Sequence, residues 1–149
     1  ALNKLGRNRE AISSYGQAIR FAPDDADAHY NLGNSFRDSG RPHEAVTSFH
    51  HAIRIKPGHF MAHYNLAGVL RYLGKLEQAV HAYDQAIRIN HDKTDALSNR
   101  LYCLSELDNV DAAYQLELAK SYGALVSARA TAPYSKWNCA RHADGYRQG

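Results

Sequence analysis

Small and apolar positions return along this chain at a fixed interval of 34 residues. Ala11, Ala45, Ala79 and Ala113 fall on that period, as do Gly6, Gly40 and Gly74. So do Tyr15, Phe49 and Tyr83, and Ala18, Ala52 and Ala86. The strings HYNLGNSF (29–36) and HYNLAGVL (63–70) are near copies. A period of this length marks an array of stacked units, each one supersecondary motif long.

Within a period the pattern is helical twice over. In residues 26–59, Tyr30, Leu32, Gly33 and Phe36 mark a first helix. Gly40 suits the left-handed conformation that closes a helix, and Pro42 suits the first turn of the next. Ala45, Val46, Phe49, Ala52, Ile53 and Ile55 form the apolar face of a second helix, which Pro57-Gly58 ends. Gly33 or Ala67 facing Ala45 or Ala79 lets two backbones come close, and the aromatics fill the joint to the next unit. One such hairpin cannot bury its own face, whereas stacked hairpins make a continuous core.

This reading divides the chain into a partial unit (1–25), two full units (26–59 and 60–93), a degenerate unit with a capping helix (94–127) and an extended tail or linker (128–149). In the fourth unit Leu101 replaces the small residue, Asp108 the glycine, Glu117 the aromatic and Lys120 the alanine, and His91 stands at the proline position. Its second helix is expected over about 110–126. Ala1–Leu5 read as the end of a first helix, so the array is expected to continue before Ala1. A cut there would expose the apolar side of Ile12, Tyr15 and Ile19, a face suited to a homodimer.

Positions 7, 8, 11, 20, 24, 27 and 32 of each unit resemble the tetratricopeptide repeat (TPR). The resemblance covers residues 1–93 and implies an all-α right-handed superhelix of antiparallel helix pairs, with a C-terminal capping helix and tail. The run DALSNRLYCLSELD, then SYG, then a Pro- and Trp-containing basic segment, is similar to the junction after the repeat array of the O-linked N-acetylglucosamine transferase family, SPINDLY-like members included. That likeness implies a module presenting protein substrates to a glycosyltransferase. No glycosyltransferase motif is present, so no residue is assigned catalysis and no cofactor is expected.

Charge narrows the partners. The formal net charge is +3. Residues 128–149 hold Arg129, Lys136, Arg141 and Arg147 against Asp144 alone, which is the whole excess. The neutral array lacks the clustered basic face of a nucleic-acid binder. No apolar run is long enough to span a membrane, no signal peptide opens the sequence, and two cysteines make no disulfide framework. A cytoplasmic protein is expected.

The candidate chemistry lies on the first helix of each unit. Positions 2, 6, 9 and 13 share one side of a helix. The stripe reads Asp27, Asn31, Asn34, Asp38, then Met61, Asn65, Gly68, Tyr72, then Asp95, Asn99, Tyr102, Glu106. Tyr30, Tyr64, Arg37 and Arg71 flank it. The TPR resemblance places these helices on the concave surface, where a peptide or protein ligand would lie. Asn31, Asn65 and Asn99 form a ladder, and a carboxamide carries both donor and acceptor for a peptide backbone. With helices ~8–10 Å apart, rungs would be spaced about three extended residues at ~3.3–3.6 Å each. Equally, such asparagines can serve as bonds between neighbouring helices. A carboxylate clamp of the TPR type would need basic residues where Tyr30, Asp95 and Asn99 stand, so binding of an acidic chaperone tail is not expected. The nine histidines suggest a metal only at His59 and His63, without a third ligand. His29 and His63 share a packing position, and Cys103 reads as a small buried hydrophobe. Two functions stay open: substrate recognition for a transferase-like enzyme, and a stand-alone scaffold or adaptor.

Overall fold

The computed structural model describes residues 2–107 continuously, with side chains from Gly6 onward, together with residues 116, 119, 120, 123, 124 and 127. The six helices are α1 (Leu2–Phe21), α2 (Ala26–Asp38), α3 (Pro42–Ile55), α4 (Phe60–Tyr72), α5 (Leu76–Ile89) and α6 (Thr94–Ser105). Each packs chiefly on the next in sequence, and the first helices of successive units also touch, α2 with α4 and α4 with α6 through Tyr64 and Asn99. Contacts confined to the same and the adjoining unit define an all-α solenoid. The expected capping helix over 110–126 and the tail lie outside the continuously described residues.

Local chemistry sets the helix ends. The Asp25 carboxylate accepts the backbone N–H groups of Asp27 (2.9 Å) and Ala28 (3.0 Å) at the start of α2. Gly40 and Gly74 each adopt φ of 73°, which L side chains rarely take. Around each, the next residue's N–H returns to the helix: Arg41 to the Phe36 carbonyl and Lys75 to the Leu70 carbonyl, both at 2.9 Å. These are Schellman closures, and they reverse the chain from α2 into α3 and from α4 into α5.

Gly6 behaves differently. The 34-residue period places a turn there, but α1 runs unbroken through it. Among the described residues no partner helix folds back on that end, and Asn8 stands where Pro42 opens α3. Continuing the helix adds hydrogen bonds and a turn would gain no packing, so the helix continues. Ile12, Tyr15 and Ile19 are half-buried, because α1 packs on α2. The sequence pattern predicts an exposed face there, and packing on α2 covers part of it.

The core is a ribbon through these joints. Ala45, Phe49, Ala52, Ala67, Ala79, Ala86 and Ala96 are fully enclosed, and Tyr83 nearly so. A Cβ built on Gly33 would lie 2.6 Å from Phe49 Cε1, so the ring rests directly on the α2 backbone. Cys103 is buried on α6, and burial pushes its thiol pKa up. Arg100 occupies the position held by Leu66 one unit earlier. It is buried and ion-paired with Asp84 of α5.

Candidate functional site

The asparagine stripe runs along α2, α4 and α6, the first helices of successive units. Its ends, Asp27, Asp38, Met61, Tyr72, Asp95 and Glu106, are exposed, while Asn31, Asn34, Asn65 and Asn99 are half-buried at mid-helix. The asparagines sit at the joints between units. Asn65 Nδ2 donates to Tyr30 Oη (3.2 Å) and to Asn34 Oδ1 (2.8 Å) of the preceding unit. One unit on, Asn99 Nδ2 donates to Tyr64 Oη at 3.0 Å. The second bond of Asn65 has no counterpart there, because Gly68 replaces Asn34.

That difference governs what each carboxamide can still offer. A carboxamide has two N–H donors and one carbonyl acceptor. Asn65 has both donors engaged and keeps its Oδ1. Asn99 keeps one donor and its Oδ1, a pair able to meet both groups of a peptide unit. The two rungs are therefore chemically unlike, although the sequence repeats them. Asn31 has no such partner tyrosine among the described residues.

The flanking tyrosines are part of the same joints. The Tyr30 ring packs 6.0 Å from Phe49 and 4.8 Å from His59. Tyr64 packs edge-on to Tyr83 at 5.8 Å and stacks on Phe60 at 5.9 Å. Asp27 accepts from His59 Nε2 at 3.1 Å, and His59 Nδ1 in turn accepts the Ala62 N–H at 3.2 Å, capping α4. With Nδ1 accepting, the ring proton lies on Nε2. His59 is thus a cap and a link between units. His29 and His63 each bond through Nε2 to a proline carbonyl six residues back, Pro23 and Pro57, at 3.0 Å. Burial lowers the His63 pKa. No cluster of potential metal ligands occurs among the described residues.

A groove of about 540 Å³ opens on this face. It is lined by Tyr64, Asn65, Gly68 and Tyr72 of α4, by Asn99 of α6, and by Arg37 and Arg71. Tyr72 is 80% exposed although its ring lines the groove. Arg37 pairs with Asp38 at 3.0 Å on the rim. The Arg71 guanidinium lies 5.4 Å from the centre of the Tyr102 ring. Tyr102 and Glu106 line an adjoining recess with Gly68, Arg71 and Tyr72. A hydrogen bond to Glu106 raises the Tyr102 pKa.

The structure thus gathers Arg37, Tyr64, Asn65, Arg71 and Asn99 around one groove and sets Tyr102 beside it. Asp27, Tyr30, Asn34 and Asp38 stand in bonds or joints along α2, and Asn31 sits on that helix outside the groove. The sequence places Gly68 and Tyr72 on the same stripe, but its ladder singles out the asparagines rather than these two. The available signal was the change between units, in which Asn34 and Asp38 become Gly68 and Tyr72.

Family models described as TPR repeat and tetratricopeptide repeat match residues 1–36 and 24–92. The chain belongs to the tetratricopeptide repeat family. It is a protein–protein interaction module of TPR type. No curated relative matches the sequence. Among solved structures, it is similar to a crystal structure of MamA protein at 19% identity and TM-score 0.76, covering 84% of this chain and 67% of that one. A second MamA crystal structure gives 19% identity and TM-score 0.72 over 80% of this chain and 69% of that one. A mutant of the Thermobaculum terrenum O-GlcNAc transferase gives 24% identity and TM-score 0.67, over 80% of this chain and 23% of that one. At these identities the likeness is one of fold. No helix among the described residues is long and apolar enough to cross a membrane.

Proposed function

We propose that the face formed by α2, α4 and α6 binds an extended peptide or protein segment, chiefly at the groove between Asn65 and Asn99. The observation that carries this reading is the break in the joint at Gly68. It leaves the Asn99 carboxamide one N–H donor and an acceptor beside an open groove. A peptide bond presents the matching acceptor and donor whatever its side chains. Arg37, Arg71, Tyr72 and Tyr102 supply side-chain contacts around it.

Two settings fit such a groove. In the first, the module belongs to an O-GlcNAc-transferase-like protein and presents substrates to its catalytic part; the likeness to the transferase structure supports it, with this chain spanning 23% of that one. In the second, it is a scaffold or adaptor; the MamA structures, about two thirds covered by the same fold, support that. The experiment on the groove is a binding titration of an extended, side-chain-neutral peptide with the protein and with Asn99→Ala and Asn65→Ala. Asn99→Ala is expected to weaken binding about tenfold, the size of one or two hydrogen bonds lost in a partly dry site. Asn65→Ala is expected to act mainly on stability. Unchanged affinity in Asn99→Ala overturns the reading.

A further inference from the structure

The groove carries a charge that the array as a whole does not. Its lining holds two guanidinium groups, Arg37 and Arg71, and no carboxylate. Arg37 is engaged by Asp38 at the rim. Arg71 has no ion pair among the described residues; its guanidinium lies over the Tyr102 ring. Glu106 lines the adjoining recess, and it accepts the Tyr102 hydroxyl. A guanidinium over an aromatic face is held by the ring and keeps its edge N–H groups for an acceptor in its own plane. Arg71 is also half-buried, where screening by water is weaker than on an open surface.

We infer that the groove selects an extended peptide bearing an acidic side chain, its carboxylate taken by Arg71 and the neighbouring backbone amide by Asn99. This rests on the inner-face reading above and adds the side-chain chemistry of the ligand. Gly68 makes room for it: with no side chain between the Asn65 and Asn99 rungs, a backbone can come close to α4. Tyr72 and Tyr102 flank the carboxylate with apolar ring surface, and the arginine supplies a fork of donors matched to two oxygens. A lysine-bearing peptide would meet two like charges in the same space.

The test uses three capped peptides, Ac-GASXASG-NH2 with X as glutamate, glutamine or lysine, titrated into isotopically labelled protein and followed by amide chemical shifts. The glutamate peptide is expected to bind about tenfold more tightly than the glutamine one, as one charge-assisted contact gives, with the lysine peptide weakest. The largest shifts are expected at Gly68 and Asn99. Raising salt from roughly 50 to 500 mM should shrink the preference. Arg71→Gln should abolish it while leaving the unfolding midpoint in place, and Arg71→Lys should keep part of it. If glutamine binds as tightly as glutamate, with shifts at Gly68 and Asn99, the acidic preference is overturned and the inner-face reading stands. The acidic preference is equally overturned if Arg71→Gln retains it. If no peptide moves those amides, both fall.

Discussion

Two glycines on equivalent helices should respond in opposite directions to the same added methyl group. Gly33 lies on α2 and Gly68 on α4, and both are helical. A Cβ on Gly33 would sit 2.6 Å from Phe49 Cε1 and 2.7 Å from Cδ1, and Phe49 is completely enclosed. The ring has nowhere to go without disturbing Ala45 and the α2–α3 joint, and overpacking of this kind costs about 1–3 kcal/mol. Against that, alanine gains roughly 0.5–1 kcal/mol over glycine in a helix interior. The net for Gly33→Ala is a destabilisation centred on about 1 kcal/mol, within a span of roughly 0–2.5 kcal/mol. For Gly68→Ala the nearest atom outside the helix backbone is Tyr83 Oη at 3.9 Å, an ordinary contact. Only the helical gain applies there, so stability rises by about 0.5–1 kcal/mol. Urea unfolding followed by circular dichroism would read both variants. A midpoint raised equally by the two would refute the reasoning, since it would mean that Phe49 does not rest on the α2 backbone. Gly68→Ala also narrows the groove, so its gain in stability should come with weaker peptide binding.

Three further outcomes follow from buried titratable groups. His63 is lowered below its usual value by burial, so the unfolded chain binds its proton first; stability from this site is full above about pH 6.5 and is lost as acidification proceeds below it. A pH series of unfolding midpoints on the protein and His63→Asn would show a shallower acid limb in the variant, and parallel limbs would count against the assignment. The Tyr83 phenol is pushed up to about 12 by burial. Its neutral form is favoured in the fold, so the contribution is complete below pH 10 and disappears between 10 and 12, which spectrophotometric titration of Tyr83→Phe against the protein would resolve. Asp84→Ala removes the carboxylate paired with the buried Arg100 guanidinium; with Asp84 itself about a third exposed, a loss of about 2 kcal/mol in unfolding free energy is expected. A change below ~0.5 kcal/mol, the usual scale of a surface pair, would show that water already screens it.

How far the sequence reaches is clearest at particular residues. The 34-residue period, Gly40 and Gly74 at the turns, Pro42 at a helix start and the alanines of the core were all legible, because each depends on local geometry repeated at one spacing. So was the asparagine stripe, since residues three and four apart share a helix side wherever the helix goes. The same period misplaced a turn at Gly6. A glycine permits a left-handed residue, but only a partner helix packing back, as α3 does on α2, makes the turn worth forming.

The rest belonged to the tertiary structure. The sequence repeats Asn65 and Asn99 as equals, yet the fold ties both donors of Asn65 to the previous unit and leaves Asn99 one donor short of that. The cause is a single atom set missing at Gly68, and its effect appears only when α2, α4 and α6 lie side by side. Likewise His59 became a helix cap and a link to Asp27, and Arg71 found the Tyr102 ring 31 residues away in sequence. Periodicity determines which side chains share a face. Only packing decides which of their hydrogen bonds are already spent and which remain for a partner.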